Sequence, residues 1–139
     1  MRKTEIMAYA AGVVDGEGNI GIGKREDTKG GTFRLYVAVT NTNEWICQWL
    51  RMQFGGRVRT MKSAKSNWKI PYRWVIESRA AMLFLEQLLP YLNLKRPQAE
   101  LAIKFQRRRM WSNQYKDNHD TVLDEAEKVL MSHFNKRGI

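Results

Sequence analysis

An abrupt change of hydrophobic period near residue 15 constrains the fold of this chain more than any other feature. Glu5 to Val14 (EIMAYAAGVV) is an almost unbroken apolar run, too long for a typical strand and without a strand's alternation. It reads as a short buried helix with Thr4 as its N-cap. From Asn19 to Arg25, small or polar residues alternate with Ile20, Ile22 and the Lys24 stem, the pattern of a half-buried strand. Asp15 and Glu17 therefore fall where a helix ends and a strand begins. Gly16 to Gly21 spells G-x-G-x-x-G, but a dinucleotide fingerprint needs the strand first and the helix second. An EF-hand loop is excluded too, because it needs oxygen ligands at several alternate positions and a closing Glu.

The rest of the chain continues the alternation of types. Thr32 to Thr40 puts Phe33, Leu35, Val37 and Val39 on one face, and pairs with the first strand across a Gly30-Gly31 loop. Glu44 to Phe54 places Ile46, Trp49, Leu50 and Phe54 at helical spacing, with Gly55-Gly56 as its C-cap. Arg57 to Met61 and Tyr72 to Glu77 form a second hairpin. Ser78 caps a helix through Leu88 that Pro90 stops, and Pro97 opens another running to about Arg109. A last helix from about Thr121, with Asp124 completing a capping box, buries Val122, Ala126, Val129, Leu130 and Phe134. The order α-β-β-α-β-β-α plus further helices predicts an α+β fold in one domain, residues 1–139, with helices on one face of an antiparallel sheet.

If one sheet face packs on helices, the other carries Asn19, Gly21, Gly23, Arg25, Thr32, Arg34, Tyr36, Thr40, Arg57, Arg59, Tyr72 and Trp74. That surface is basic and interleaved with aromatics, and it suits a DNA groove. The charge balance agrees: 24 Lys and Arg against 14 Asp and Glu leave a formal charge of +10. A domain so basic most often binds a polyanion, with an anionic membrane or a merely solvated basic surface as the alternatives. The single Cys47, among apolar neighbours, reads as a buried thiol in a reducing compartment. No leader pattern and no membrane-length apolar run is present, so the expectation is an intracellular, soluble protein of open compartment. His119 and His133 fit no His-Asn-His nuclease pattern, and no Cys/His spacing suits zinc. Arg107 to Arg109 either contact phosphate or form a solvated helix end.

Ala10 to Gly18, AAGVVDGEG, resembles the LAGLIDADG motif of homing endonucleases, with Ala10 for the leading leucine and Glu17 for the second aspartate. Residues 90–101, PYLNLKRPQAEL, are similar to the family segment whose functional lysine falls on Lys95. The resemblance spans a core of about residues 4–109, leaves 110–139 as a helical extension, and implies a saddle-shaped sheet. It implies a site-specific double-strand DNA endonuclease that hydrolyses phosphodiesters with Mg²⁺, Mn²⁺ substituting and Ca²⁺ binding without cleavage. Only one motif occurs, and one-motif chains in this family act as homodimers on pseudo-palindromic sites. The implied roles are Glu17 and the Gly16 carbonyl as metal ligands, and Lys95 beside the scissile phosphate or its water. Asn41 stands where the family often has a glutamine that contacts active-site water, and Trp45 where some members carry a basic residue. Asp15, Gly12 and Gly18 are structural parts of the motif. Ala8, Ala11, Gly12 and Asp15 are expected at the dimer interface, where small residues let a partner helix approach closely. Neither a membrane nor a small-molecule substrate is expected. The competing reading is a binding protein of the same fold without cleavage, an intron RNA maturase or a transcription regulator.

Overall fold

In the computed structural model, which describes residues 2–25, 32–61, 69–111 and 118–137, the period change at residue 15 is a helix running straight into a strand. Helix α1 (Lys3–Glu17) buries Met7, Ala10, Ala11 and Val14, a set at helical spacing, and both acids of the motif lie in its last turn. Strand β1 (Gly18–Arg25) follows without a loop. The junction depends on Gly18: a Cβ there would come within 2.8 Å of the Val14 backbone, whose carbonyl accepts the Gly18 N–H. Thr4 is not the N-cap. The helix begins earlier, with Arg2 at the cap position and no side-chain capping bond, and the Ile6 N–H reaches the Arg2 carbonyl at 3.0 Å.

Strand β2 (Thr32–Asn41), helix α2 (Glu44–Phe54), strand β3 (Arg57–Thr60) and strand β4 (Tyr72–Glu77) complete the α-β-β-α-β-β order. All pairings are antiparallel in the spatial order β1-β2-β4-β3. Asn43 caps α2, its side chain accepting from the Trp45 N–H, and Gly55 ends the helix at a φ of +83° that favours glycine. The inward face presents Ile20, Ile22, Phe33, Leu35, Val37, Val39, Trp74 and Ile76 to the helices. Cys47 is buried with them, as expected, and burial pushes its thiol up from the ordinary value.

Two of the expected outward residues belong to this inner layer. The register sets Trp74 opposite Val39 and Val58, and Tyr72 opposite Asn41 and Thr60. Trp74 is fully buried, its indole N–H donating to the Gly55 carbonyl at 2.8 Å, and Tyr72 packs half-buried against the same cluster. Within β4 the apolar phase Tyr72, Trp74, Ile76 turns inward and Arg73, Val75, Glu77 turn outward.

The remaining helices back the sheet. Helix α3 (Ser78–Leu88) leaves β4 directly; Glu77 holds the cap position, so Ser78 is its first residue and not the cap, with a φ of +56°. Pro90 lies in a 3₁₀ turn, and helix α4 (Arg96–Trp111) has Pro97 in its first turn. Helix α5 (Asn118–Arg137) buries a different face from the one its apolar spacing predicts. Asp124, Glu127 and Met131 are buried and Phe134 half-buried, while Val122, Ala126, Val129 and Leu130 are exposed. The cause is α4. Arg108 Nη2 donates to Asp124 and Glu127, both at 2.6 Å, and Arg109 Nη1 to Asp124 at 2.7 Å. Arg107 pairs with Glu86 of α3. The Arg107 to Arg109 run is thus engaged within the chain, and Asp124 serves an ion pair instead of a capping box.

Candidate nucleic-acid interface and acidic turn

The last turn of α1 separates its two acids. Asp15 turns back into the chain, where its carboxylate accepts the backbone N–H groups of Asn93 at 2.8 Å, Leu94 at 3.1 Å and Lys95 at 3.0 Å. The Lys95 ammonium returns the contact, donating to the Asp15 carbonyl at 2.8 Å. A cation at the carbonyl end of a helix is favourably placed against its dipole. Glu17 stays exposed at the end of the helix. Its Oε2 accepts from Asn41 Nδ2 at 2.7 Å, and the other end of that amide, Oδ1, accepts the Asn43 N–H at 2.8 Å. Asn41 closes β2, and its amide is thereby oriented between the motif and the start of α2.

Glu17, Asn41, Gly16, Gly12, Ala8, Tyr9 and Trp45 line one open groove of about 630 Å³. Ala8, Gly12 and Gly16 recur at every fourth position and are all exposed, so one stripe of α1 has almost no side chain. Ala11 does not belong to it: the residue is fully buried, its Cβ directed into the core. Tyr9, with its ring centroid 6.5 Å from that of Trp45 and 5.0 Å from that of Trp49, walls the groove with aromatic surface. Among the described residues no group of three or more His, Cys, Asp or Glu could hold a metal ion by itself. The Glu17 carboxylate is a hard oxygen ligand of the kind a divalent ion takes alongside water and phosphate.

On the open sheet face the structure brings together Asn19, Gly21, Gly23, Thr32, Arg34, Tyr36, Thr40, Arg57 and Arg59, by the register of the four strands. The backbone of Arg25 pairs with Thr32 at the same face; its side chain lies outside those described. Gly21 is not bare surface. Tyr36 lies across it, so that a Cβ would come within 2.4 Å of the phenol ring, and Asn19 Nδ2 donates to the Tyr36 hydroxyl at 3.1 Å. The Arg73 guanidinium sits 6.0 Å from the centroid of the same ring. Arg73, Val75 and Glu77 are the open-face residues that sequence reasoning missed, and the inward set Tyr72, Trp74, Ile76 was the signal that could have found them. Glu77 binds Arg34 at 3.2 Å and Arg57 at 2.6 Å. Burial alone would raise its carboxyl, but the hydrogen bonds and charges of Arg57 and Arg34 outweigh it and hold it below the usual carboxylate range.

No protein-family model and no curated protein matches the sequence. Solved structures do. The homing endonuclease I-CvuI matches in two DNA complexes. In one, with the I-CreI target and 2 mM Mg and the DNA not cleaved, identity is 25% and TM-score 0.76, over 94% of this chain and 82% of that one. In the other, with its own target and 2 mM Ca, identity is 27% and TM-score 0.75, over 92% and 80%. The archaeal intron-encoded homing endonuclease I-Vdi141I, complexed with DNA, shares the fold at TM-score 0.71 and 14% identity, over 99% and 86%. The fold with its open antiparallel sheet is that of DNA-binding endonucleases. In that fold, and in a stretch at residues 10–18 that resembles their motif and occurs once, the chain is similar to LAGLIDADG homing endonucleases. No helix among the described residues is long and apolar enough to cross a membrane.

Proposed function

We propose that this chain is a site-specific double-strand DNA endonuclease that acts as a homodimer on a pseudo-palindromic site and uses a divalent metal. The observation that carries the reading is the position of Glu17: an exposed carboxylate, oriented by Asn41, at the end of a helix whose adjacent stripe is bare. One carboxylate per chain is a poor hydrolase. Packing two α1 stripes against each other brings two Glu17 side chains close to one axis, one for each DNA strand.

Mg²⁺ is the expected ion, with Mn²⁺ substituting and Ca²⁺ supporting binding alone; bound by Glu17 and the Gly16 carbonyl, it supplies positive charge to the oxygens of the scissile phosphate. The chain's own residues do the rest. Asn41 fixes the Glu17 carboxylate and offers its amide to water at the site. Lys95, anchored on the Asp15 carbonyl, adds a cation beside the same phosphate. Asn19, Thr32, Arg34, Tyr36, Thr40, Arg57 and Arg59 contact the duplex from the sheet, joined by Arg73.

The test is cleavage of a randomised duplex library by the purified protein in Mg²⁺ and in Ca²⁺, beside Glu17→Gln. The expected result is a set of discrete, roughly two-fold symmetric cut sites in Mg²⁺ that disappear in the variant, which still binds them. Specific retention of sequences with no cutting under any condition would replace this reading with that of a maturase or transcription regulator.

A further inference from the structure

An acid lies in the middle of the basic sheet face, where a surface built only for affinity to a polyanion would have none. Glu77 ends β4, the strand flanked by β2 on one side and β3 on the other. The register sets Tyr36 opposite Glu77 and Arg57 opposite Val75, so Arg34 and Arg57 are both diagonal neighbours of the acid, within reach of long side chains. Arg34 Nη1 donates to Glu77 Oε2 at 3.2 Å, and Arg57 Nη1 lies 2.6 Å from Oε1. One carboxylate therefore takes one arginine on each oxygen, from two different strands. The acid is the deeper partner: its side chain is 21% exposed, against 39% for Arg34 and 60% for Arg57. Gly23, Lys24, Arg59 and Arg73 complete the same depression.

A fixed negative charge here repels phosphate and weakens sequence-independent binding. What it supplies in return is geometry. A free arginine loses rotamer freedom when it is held on a base edge, and a guanidinium already held from behind has less to lose. Each guanidinium spends one nitrogen on Glu77 and keeps the rest of its planar fork, the group that pairs with the O6 and N7 of guanine in a major groove.

We propose that Glu77 is a positioning residue for base readout: it holds Arg34 and Arg57 as a braced pair that reads guanines, and its charge disfavours DNA that offers phosphates alone. The inference rests on the DNA-binding reading above and assigns a specificity element within it. Base preference and bulk affinity consequently move in opposite directions when the acid is neutralised.

The experiment selects duplexes from a randomised library by binding in Ca²⁺, with the native protein, Glu77→Gln, Glu77→Asp and Arg34→Lys, and then titrates each protein with a selected and a scrambled duplex over a range of salt. In Glu77→Gln the guanine-bearing positions of the native pool flatten, and preference for the selected duplex falls about tenfold. Scrambled duplex binds more tightly, with a salt slope steeper by about one. Glu77→Asp recovers part of the preference. Arg34→Lys, which keeps the charge but not the fork, loses base preference with thermal stability unchanged. An unaltered pool in Glu77→Gln, or equal tightening on both duplexes, overturns the proposal, since the acid would then act through stability or charge alone. Failure of the native protein to bind any duplex at low salt overturns the proposal together with the DNA-binding reading.

Discussion

Asp15 and Glu17 stand two residues apart on one helix end and face opposite problems. Asp15 satisfies three backbone N–H groups ahead of α4, which would otherwise lack acceptors at a helix entrance. Asp15→Ala is therefore expected to lower stability by about 1–3 kcal/mol, read as a lower urea midpoint at unchanged slope. Glu17→Gln, by contrast, leaves the midpoint within error, because Glu17 is exposed and its partner Asn41 can bond an amide as well as a carboxylate. A pair of variants with equal midpoints would refute this division of roles. The division was legible only in part. The resemblance of AAGVVDGEG to a known motif marks Asp15 as structural, but its partners lie at residues 93–95, and no local pattern connects segments that far apart in the chain. Lys95 was found the same way, through a motif; that its ammonium rests on the Asp15 carbonyl is a fact of packing.

At the scale of elements, periodicity succeeds where one force dominates and fails where two compete. Helix α2 and strand β4 have the bounds the pattern predicts, because apolar spacing, Asn43 and the glycine pair 55–56 all agree. The face of β4 was misjudged because grouping its aromatics with the arginines of β3 assumed a register that the sequence does not encode. Trp74 could not stay outside: burying so large a ring is worth more than any partner in water. Helix α5 failed for the opposite reason. Its apolar stripe at Val122, Val129 and Leu130 is the better hydrophobic surface, yet α4 presents Arg108 and Arg109, and the acidic face of α5 binds them. Losing Asp124 removes one of the carboxylates that hold these guanidiniums, while Glu127 stays on Arg108. Asp124→Asn should cost roughly 2–4 kcal/mol, slightly below the range for a fully buried pair because Arg108 keeps 21% of its side chain in solvent. Hydrogen exchange should show α5 opening before the sheet does. Protection of α5 equal to that of β2 in the variant would show that the apolar contacts of Met131 and Phe134 hold the helix unaided.

At the scale of the molecule, the question is what the bare stripe on α1 is for. A lone globular chain gains nothing from glycine at positions 12 and 16 of a helix, where each weakens the helix by about 1 kcal/mol relative to alanine. Neither is needed for internal packing, since a Cβ at Gly12 or Gly16 would meet nothing within 4 Å. Gly18 is the contrast, a glycine that the fold itself demands. The proposed dimer would give the absence of a side chain at Gly12 a use. Gly12→Leu separates the two scales. Within one chain the leucine is accommodated and favours the helix, so the melting temperature of the isolated chain should hold or rise. Between chains it interposes an isobutyl group where two backbones need to approach closely, so sedimentation should show monomers and cleavage of the symmetric site should be lost. The basic sheet is untouched by the change, so salt-sensitive binding to scrambled duplex should persist. A Gly12→Leu protein that still dimerises and cuts would mean that the stripe is not the interface. Glu17 would then need its second carboxylate from another direction.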